Sequence, residues 1–223
     1  MPLDCPEADR PEFAPRAAEM PSTPKSVALA FFNADPGLVF LLEDFRAAYT
    51  AYAGLSGTSL PSFTPVKLGE GRISQNPDAI VLAAKRGEVD TAALSALANM
   101  AESGTRLYAI IETSGTDPED ARVTLASLQD AARELSLAWG GAAVLATADK
   151  TAELCDSPRM GALRRPFSEA IDKLVGAVRM GCSIRQAQQL GGADVSGFDR
   201  DGAVMAKPAL PAPLWRLATR IFC

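Results

Sequence analysis

Arg106-Leu-Tyr-Ala-Ile-Ile-Glu112 runs into the turn cluster Thr113-Ser-Gly-Thr-Asp-Pro118, and from there Val123, Leu125, Leu128, Ala132 and Leu135 recur at helical spacing as far as Leu137. A short apolar run without polar alternation is a strand buried on both faces, and a helix that follows it covers one of them. The unit recurs along the chain. Ser26-Val-Ala-Leu-Ala-Phe-Phe32 precedes a helix from Leu38 to Tyr52, with Leu38, Leu41, Leu42, Phe45, Tyr49 and Tyr52 on its apolar face. Asp78-Ala-Ile-Val-Leu-Ala-Ala84 precedes a helix from Asp90 to Glu102 that Ser103-Gly104 closes. Gly141-Ala-Ala-Val-Leu-Ala-Thr147 leads, through a connection from Ala148 to Arg165, into Pro166 to Met180 with Phe167, Ile171, Leu174, Val175 and Val178 inward. Phe63 to Leu68, interrupted by Pro65, reads as an edge strand. The pattern predicts an α/β fold, a three-layer α/β/α sandwich around a five-stranded parallel sheet.

The 223 residues, 48% of them hydrophobic, suit one such domain with appendages. Residues 1–24 read as a proline-rich arm, 25–182 as the domain, and 183–223 as a C-terminal extension ending in an amphipathic tail (Leu210, Leu214, Trp215, Leu217, Ile221, Phe222). A formal net charge of -5 argues against a nucleic-acid binder, whose affinity comes from neutralising phosphates. No apolar run approaches the roughly 20 residues that span a bilayer, and Met1 to Met20 has no apolar core of a signal peptide, so a cytoplasmic protein is expected. Cys5, Cys155, Cys182 and Cys223 are too far apart in sequence for the close pairs of zinc or thioredoxin-type sites and read as unpaired thiols. The chain has no histidine, which removes Ser-His-Asp and Cys-His catalysis and imidazole metal ligation together. Any chemistry falls to carboxylates, Lys, Tyr, thiols or a cofactor.

Leu107-Tyr-Ala-Ile-Ile-Glu-Thr-Ser-Gly115, a helix, and then Leu137-Ala-Trp-Gly-Gly-Ala-Ala-Val-Leu-Ala146 resemble the second half of flavodoxin-like proteins of the NADPH-dependent FMN reductase type. Pro77-Asp-Ala-Ile-Val-Leu-Ala83 is similar to that family's third strand, and Pro211-Ala-Pro-Leu-Trp-Arg-Leu-Ala218 resembles a C-terminal segment of some members. The resemblance covers roughly Ser26 to Met180. It implies strand order 2-1-3-4-5, FMN at the carboxyl ends of the strands and NAD(P)H as electron donor. The cofactor-binding positions it implies are Asn33, Ala84, Lys85, Thr113, Ser114, Gly115, Thr116 and Thr147.

The loops depart from the family's pattern. Asn33-Ala-Asp-Pro-Gly-Leu38, where a flavin phosphate needs donors, has no hydroxyl side chain, and Asp35 repels an anion while Pro36 lacks an N–H. Ala83-Ala-Lys-Arg-Gly-Glu88 offers no aromatic to stack on a flavin. Thr113 to Thr116 keeps hydroxyls and flexible N–H groups at a helix start, suited to an anion or to capping that helix. Gly191-Gly-Ala-Asp-Val-Ser-Gly197 follows no strand and reads as a linker rather than a phosphate loop. Two readings stay open: an FMN-dependent NAD(P)H oxidoreductase, or a cofactor-free binding module of the same fold, a homodimer through its tail.

Overall fold

Between their ends the central strands are apolar and the two faces alternate between two cores, which is the condition for a sheet covered on both sides. In the computed structural model, which describes residues 22–69, 76–89, 91–192 and 202–222, strands β1 (Ser26–Phe31), β2 (Ser62–Lys67), β3 (Ala79–Lys85), β4 (Arg106–Glu112) and β5 (Ala138–Leu145) are joined by a sixth, β6 (Ala203–Ala206). All pairings are parallel, in the order β2-β1-β3-β4-β5-β6. Val27, Leu29, Val81, Tyr108, Ile110 and Leu145 face helices α1 (Pro36–Ser56), α4 (Arg165–Met180), α5 (Ile184–Leu190) and α6 (Ala212–Phe222). Their strand neighbours Ala28, Ile80, Leu82, Leu107, Ile111 and Val144 face α2 (Thr91–Ala98) and α3 (Arg122–Glu134). The three-layer sandwich and the flavodoxin-like order of the first five strands stand.

The sheet has six strands, not the five expected. Ala142-Ala-Val-Leu145 is buried on both faces and would present an open row of N–H and C=O groups; Ala203–Ala206 pairs with it in register. Four residues, Ala-Val-Met-Ala, carry too little periodicity to read as a strand. Pro65 sits on the outer strand β2, where a missing N–H is harmless.

The helix expected from Pro118 to Leu137 is two pieces, a 3-10 turn at Pro118–Ala121 and then α3. A 3-10 turn holds three residues rather than 3.6, so the phase of the apolar stripe shifts where α3 begins. Val123, expected inward, is 79% exposed, while Leu125, Leu128 and Ala132 are buried. The second helix ends at Ala98, before the expected Glu102. The tail also differs. Trp215 is fully buried, whereas Leu214, Leu217 and Ile221 are exposed. The arm up to Pro21, Cys5, Cys223 and 193–197 of the linker lie outside the described residues. Among the described residues, no helix is long and apolar enough to cross a membrane.

The connection from Ala148 to Arg165 is tied down by charge. Asp44 on α1 is buried and accepts from Arg164 Nη2 at 2.5 Å, with Arg159 Nε at 3.5 Å; Arg164 Nη1 also donates to the Ser157 carbonyl at 2.9 Å. The Arg164 guanidinium lies over the Phe40 ring, 4.6 Å from its centre. Arg159 reaches on to Asp172 at 2.6 Å, so the connection is clasped between α1 and α4.

Candidate functional site at the carboxyl edge of the sheet

The chain runs from β1 outward to β2 and returns to β3, so the order reverses between β1 and β3. In open parallel sheets the carboxyl end of that gap is where ligands are received. Asp35-Pro36 starts α1 there because aspartate accepts from the first free N–H groups and proline suits the first turn. Asp35 Oδ1 accepts from Gly37 N at 2.9 Å and Leu38 N at 3.3 Å, and Oδ2 meets Lys85 Nζ at 2.8 Å. Burial alone would raise the Asp35 carboxyl, but the Lys85 ammonium and the two N–H groups outweigh it and hold its pKa below the ordinary value. The same hydrogen bond raises Lys85, against burial.

Glu88 closes the loop after β3, accepting from Lys85 N at 2.9 Å through Oε2 and from Asn33 Nδ2 at 3.3 Å through Oε1. Ala84 is wholly buried in β3. Arg86 pairs with Asp120 at 3.6 Å and Lys207 with Asp117 at 3.5 Å.

In the loop after β4, Thr113 is buried and its hydroxyl donates back to the Gly115 carbonyl at 3.0 Å. A Cβ on Gly115 would lie 2.7 Å from Asp120 Oδ2, so the backbone there sits flush on that carboxylate. Asp117 caps the 3-10 turn by accepting from Glu119 N. Ser114 is exposed and Thr116 half-buried. The structure thus brings all eight expected positions to one edge, but Asn33, Lys85, Thr113 and Thr147 spend their polar groups on the protein itself.

Sequence reasoning missed Glu112. It ends β4 only 1% exposed, and its Oε1 accepts from Thr147 Oγ1 at 2.8 Å and from the Thr151 hydroxyl, the two threonine oxygens lying 2.8 Å apart. Burial pushes the Glu112 carboxyl above its ordinary value, with the Thr151 and Thr147 hydroxyls and the Lys85 charge pulling against it. Its signal in the sequence is an acid closing an otherwise apolar strand. The group is sealed from any substrate, so its chemistry is that of an internal tie. Beyond it, Ala148 and Asp149 both take positive φ, near 55°, as the chain turns back, and Ala148 N donates to the Gly115 carbonyl at 3.1 Å. Trp215 Nε1 donates to the Thr147 carbonyl at 3.1 Å and its ring meets Phe167 edge-on, 5.6 Å between centres.

Among the described residues no three His, Cys, Asp or Glu side chains converge as a metal site. Cys155 is exposed; Cys182 is buried, and burial pushes its thiol up, away from the reactive thiolate.

No family model and no curated protein matches this chain. Among solved structures, it is similar to an oxidoreductase from Corynebacterium diphtheriae, at 13% identity and a TM-score of 0.47, over 71% of this chain and 96% of that one. It is also similar to a flavodoxin-like domain from Synechococcus sp., at 14% identity and a TM-score of 0.37, over 75% of this chain and 100% of that one. The flavodoxin-like fold stands on the strand order itself.

Proposed function

We propose that this chain is a flavodoxin-like binding module that works without a flavin and pairs with a second copy of itself through α6. One observation carries the first part: the Asp35 carboxylate occupies the N–H groups that open α1. A flavin phosphate would be received at that helix start, by N–H groups and hydroxyls. Here Gly37 N and Leu38 N already donate to Asp35, Pro36 has no N–H, and Asn33 to Leu38 includes no hydroxyl. Thr151 packs against the same turn, since a Cβ on Gly37 would lie 3.2 Å from Thr151 Cβ. Lys85, the nearby cation, is engaged by Asp35. These residues do not fit the phosphate of FMN.

The other reading, an NAD(P)H:FMN oxidoreductase, draws on the exposed Ser114 and the half-buried Thr116. Titration of FMN into the protein, followed by flavin fluorescence, separates the two. The binding-module reading expects emission unchanged by the protein. Saturable quenching at micromolar FMN overturns it and makes NAD(P)H oxidation the activity to assay.

The second part rests on the outer face of α6. Leu214, Leu217 and Ile221, at i, i+3 and i+7, form an exposed stripe beside an apolar groove of about 410 Å³ lined by Pro158, Leu163, Leu210 and Ala218. Continuous apolar surface of this kind marks a contact site. Arg216 and Arg220 are exposed on the helix and Asp156 stands at the groove, so a two-fold related copy meets apolar stripe with apolar groove and base with acid. Light scattering is expected to give the mass of a dimer, and Leu217→Asp, a change at a 54% exposed position, that of a monomer. A monomeric wild-type protein overturns the pairing.

A further inference from the structure

The opposite edge of the sheet, at the amino ends of β3 and β4, holds a cavity of about 520 Å³ with a mainly polar lining. One wall is the segment Ser22 to Lys25, which crosses so close to the end of α4 that a Cβ on Gly181 would lie 2.1 Å from the Ser22 carbonyl oxygen. The others are the turns Asn76–Asp78 and Glu102–Thr105. Four ionic residues line it: Lys25, Asp78, Glu102 and Arg106.

Both acids are engaged by neutral donors. Asp78 Oδ2 accepts from Lys25 N at 2.7 Å, Ser26 N at 3.0 Å and Ser26 Oγ at 3.1 Å, and Glu102 accepts from Asn76 Nδ2. The carbonyls that end α4, natural partners for a cation, are engaged too. Ala177 O accepts from Cys182 N at 3.1 Å and Tyr108 OH at 3.4 Å, and Val178 O from Gly181 N at 3.0 Å. Cys182 O accepts from Tyr108 OH at 2.8 Å.

The bases have nothing equivalent. Among the described residues, neither the guanidinium of the half-buried residue Arg106 nor the ammonium of the exposed Lys25 has a hydrogen bond or ion pair. A guanidinium has five donors in a planar fork, and at the wall of a cavity those donors are open to an acceptor that enters it. At the carboxyl edge, by contrast, Lys85, Arg86, Lys150 and Lys207 are each paired with an acid of the chain.

We propose that this cavity is a ligand site for a small molecule bearing one oxyanion group, a carboxylate or a phosphate, held by the Arg106 fork and the Lys25 ammonium. Two bases and two acids leave the lining neutral in sum, so the ligand is a compact anion with a polar body and not a polyanion. Thr23 and Ser103 stand at the wall for its remaining polar groups.

Isothermal titration of the full chain at low ionic strength, with succinate and separately with inorganic phosphate, tests it. Saturable one-to-one binding of at least one is expected, weakened about tenfold or more by Arg106→Gln and several-fold by Lys25→Gln. Lys207→Gln, at the far edge, should leave it unchanged. The anion that binds identifies the group. Lys25 is exposed, so its variant folds even if the Arg106 variant does not, and a thermal melt separates loss of fold from loss of site. Binding of neither anion, or binding indifferent to Lys25→Gln and to a folded Arg106→Gln, overturns the proposal. The test is independent of the flavin titration and of the oligomeric state.

Discussion

Glu112 shows how one residue sets a pH dependence. Its carboxyl keeps a proton in the folded chain at a pH where the unfolded chain, with a carboxyl near its ordinary pKa of about 4.3, has lost it. The sign follows from the proton count: in that window the folded state holds more protons, so stability falls as pH rises from the unfolded to the folded pKa, and the full loss persists above. Asp35 and Lys85 work the other way. Asp35 contributes stability above its unfolded pKa that is lost as pH falls through its lower folded one, and Lys85 contributes below its unfolded pKa and loses it as pH rises through its higher folded one. Glu112→Gln keeps an oxygen to accept from Thr147 and Thr151 but carries no charge. Its melting temperature should exceed wild type by a few degrees at pH 7, with the gap closing below about pH 4. A variant less stable at pH 7 would mean that attraction to Lys85 outweighs the burial of the charge.

At the scale of elements, β5 shows how tightly strand and helix interlock. A Cβ on Gly140 would lie 2.3 Å from a Tyr108 ring carbon, and that ring is fixed by its hydroxyl's bond to the Cys182 carbonyl. Gly140→Ala should therefore lower stability by about 1–3 kcal/mol, read as a shift in denaturant midpoint at constant slope. A midpoint equal to wild type would mean that the ring yields. The strands were legible because runs such as Ile80-Val-Leu-Ala83 are apolar on both faces, and helices α1 and α4 because their stripes keep one phase, although Tyr52, expected on the inner face of α1, is exposed. β6 was not, since its partner, rather than its own four residues, makes it a strand. The loops were legible in composition: Asp35-Pro36 announces a cap and an anion-repelling turn. Their pairings were not, because Lys85 reaches Asp35, and Thr151 reaches Glu112, only after the chain has crossed the sheet; no spacing encodes that.

Over the whole molecule, charge is distributed by edge. The carboxyl edge, where this fold leaves room for a ligand, has Lys85, Arg86, Lys150 and Lys207 each matched to an acid, while the amino edge keeps two bases without acceptors among the described residues. Trp215 joins this map to α6, since its ring N–H holds the carbonyl of Thr147, the residue whose hydroxyl holds Glu112. The indole is thus a built-in optical gauge. Buried and hydrogen-bonded, it stands between the Glu112 carboxyl and the outer face of α6, so in a Trp139→Phe background, where it is the single indole, its emission is expected to shift with events at either.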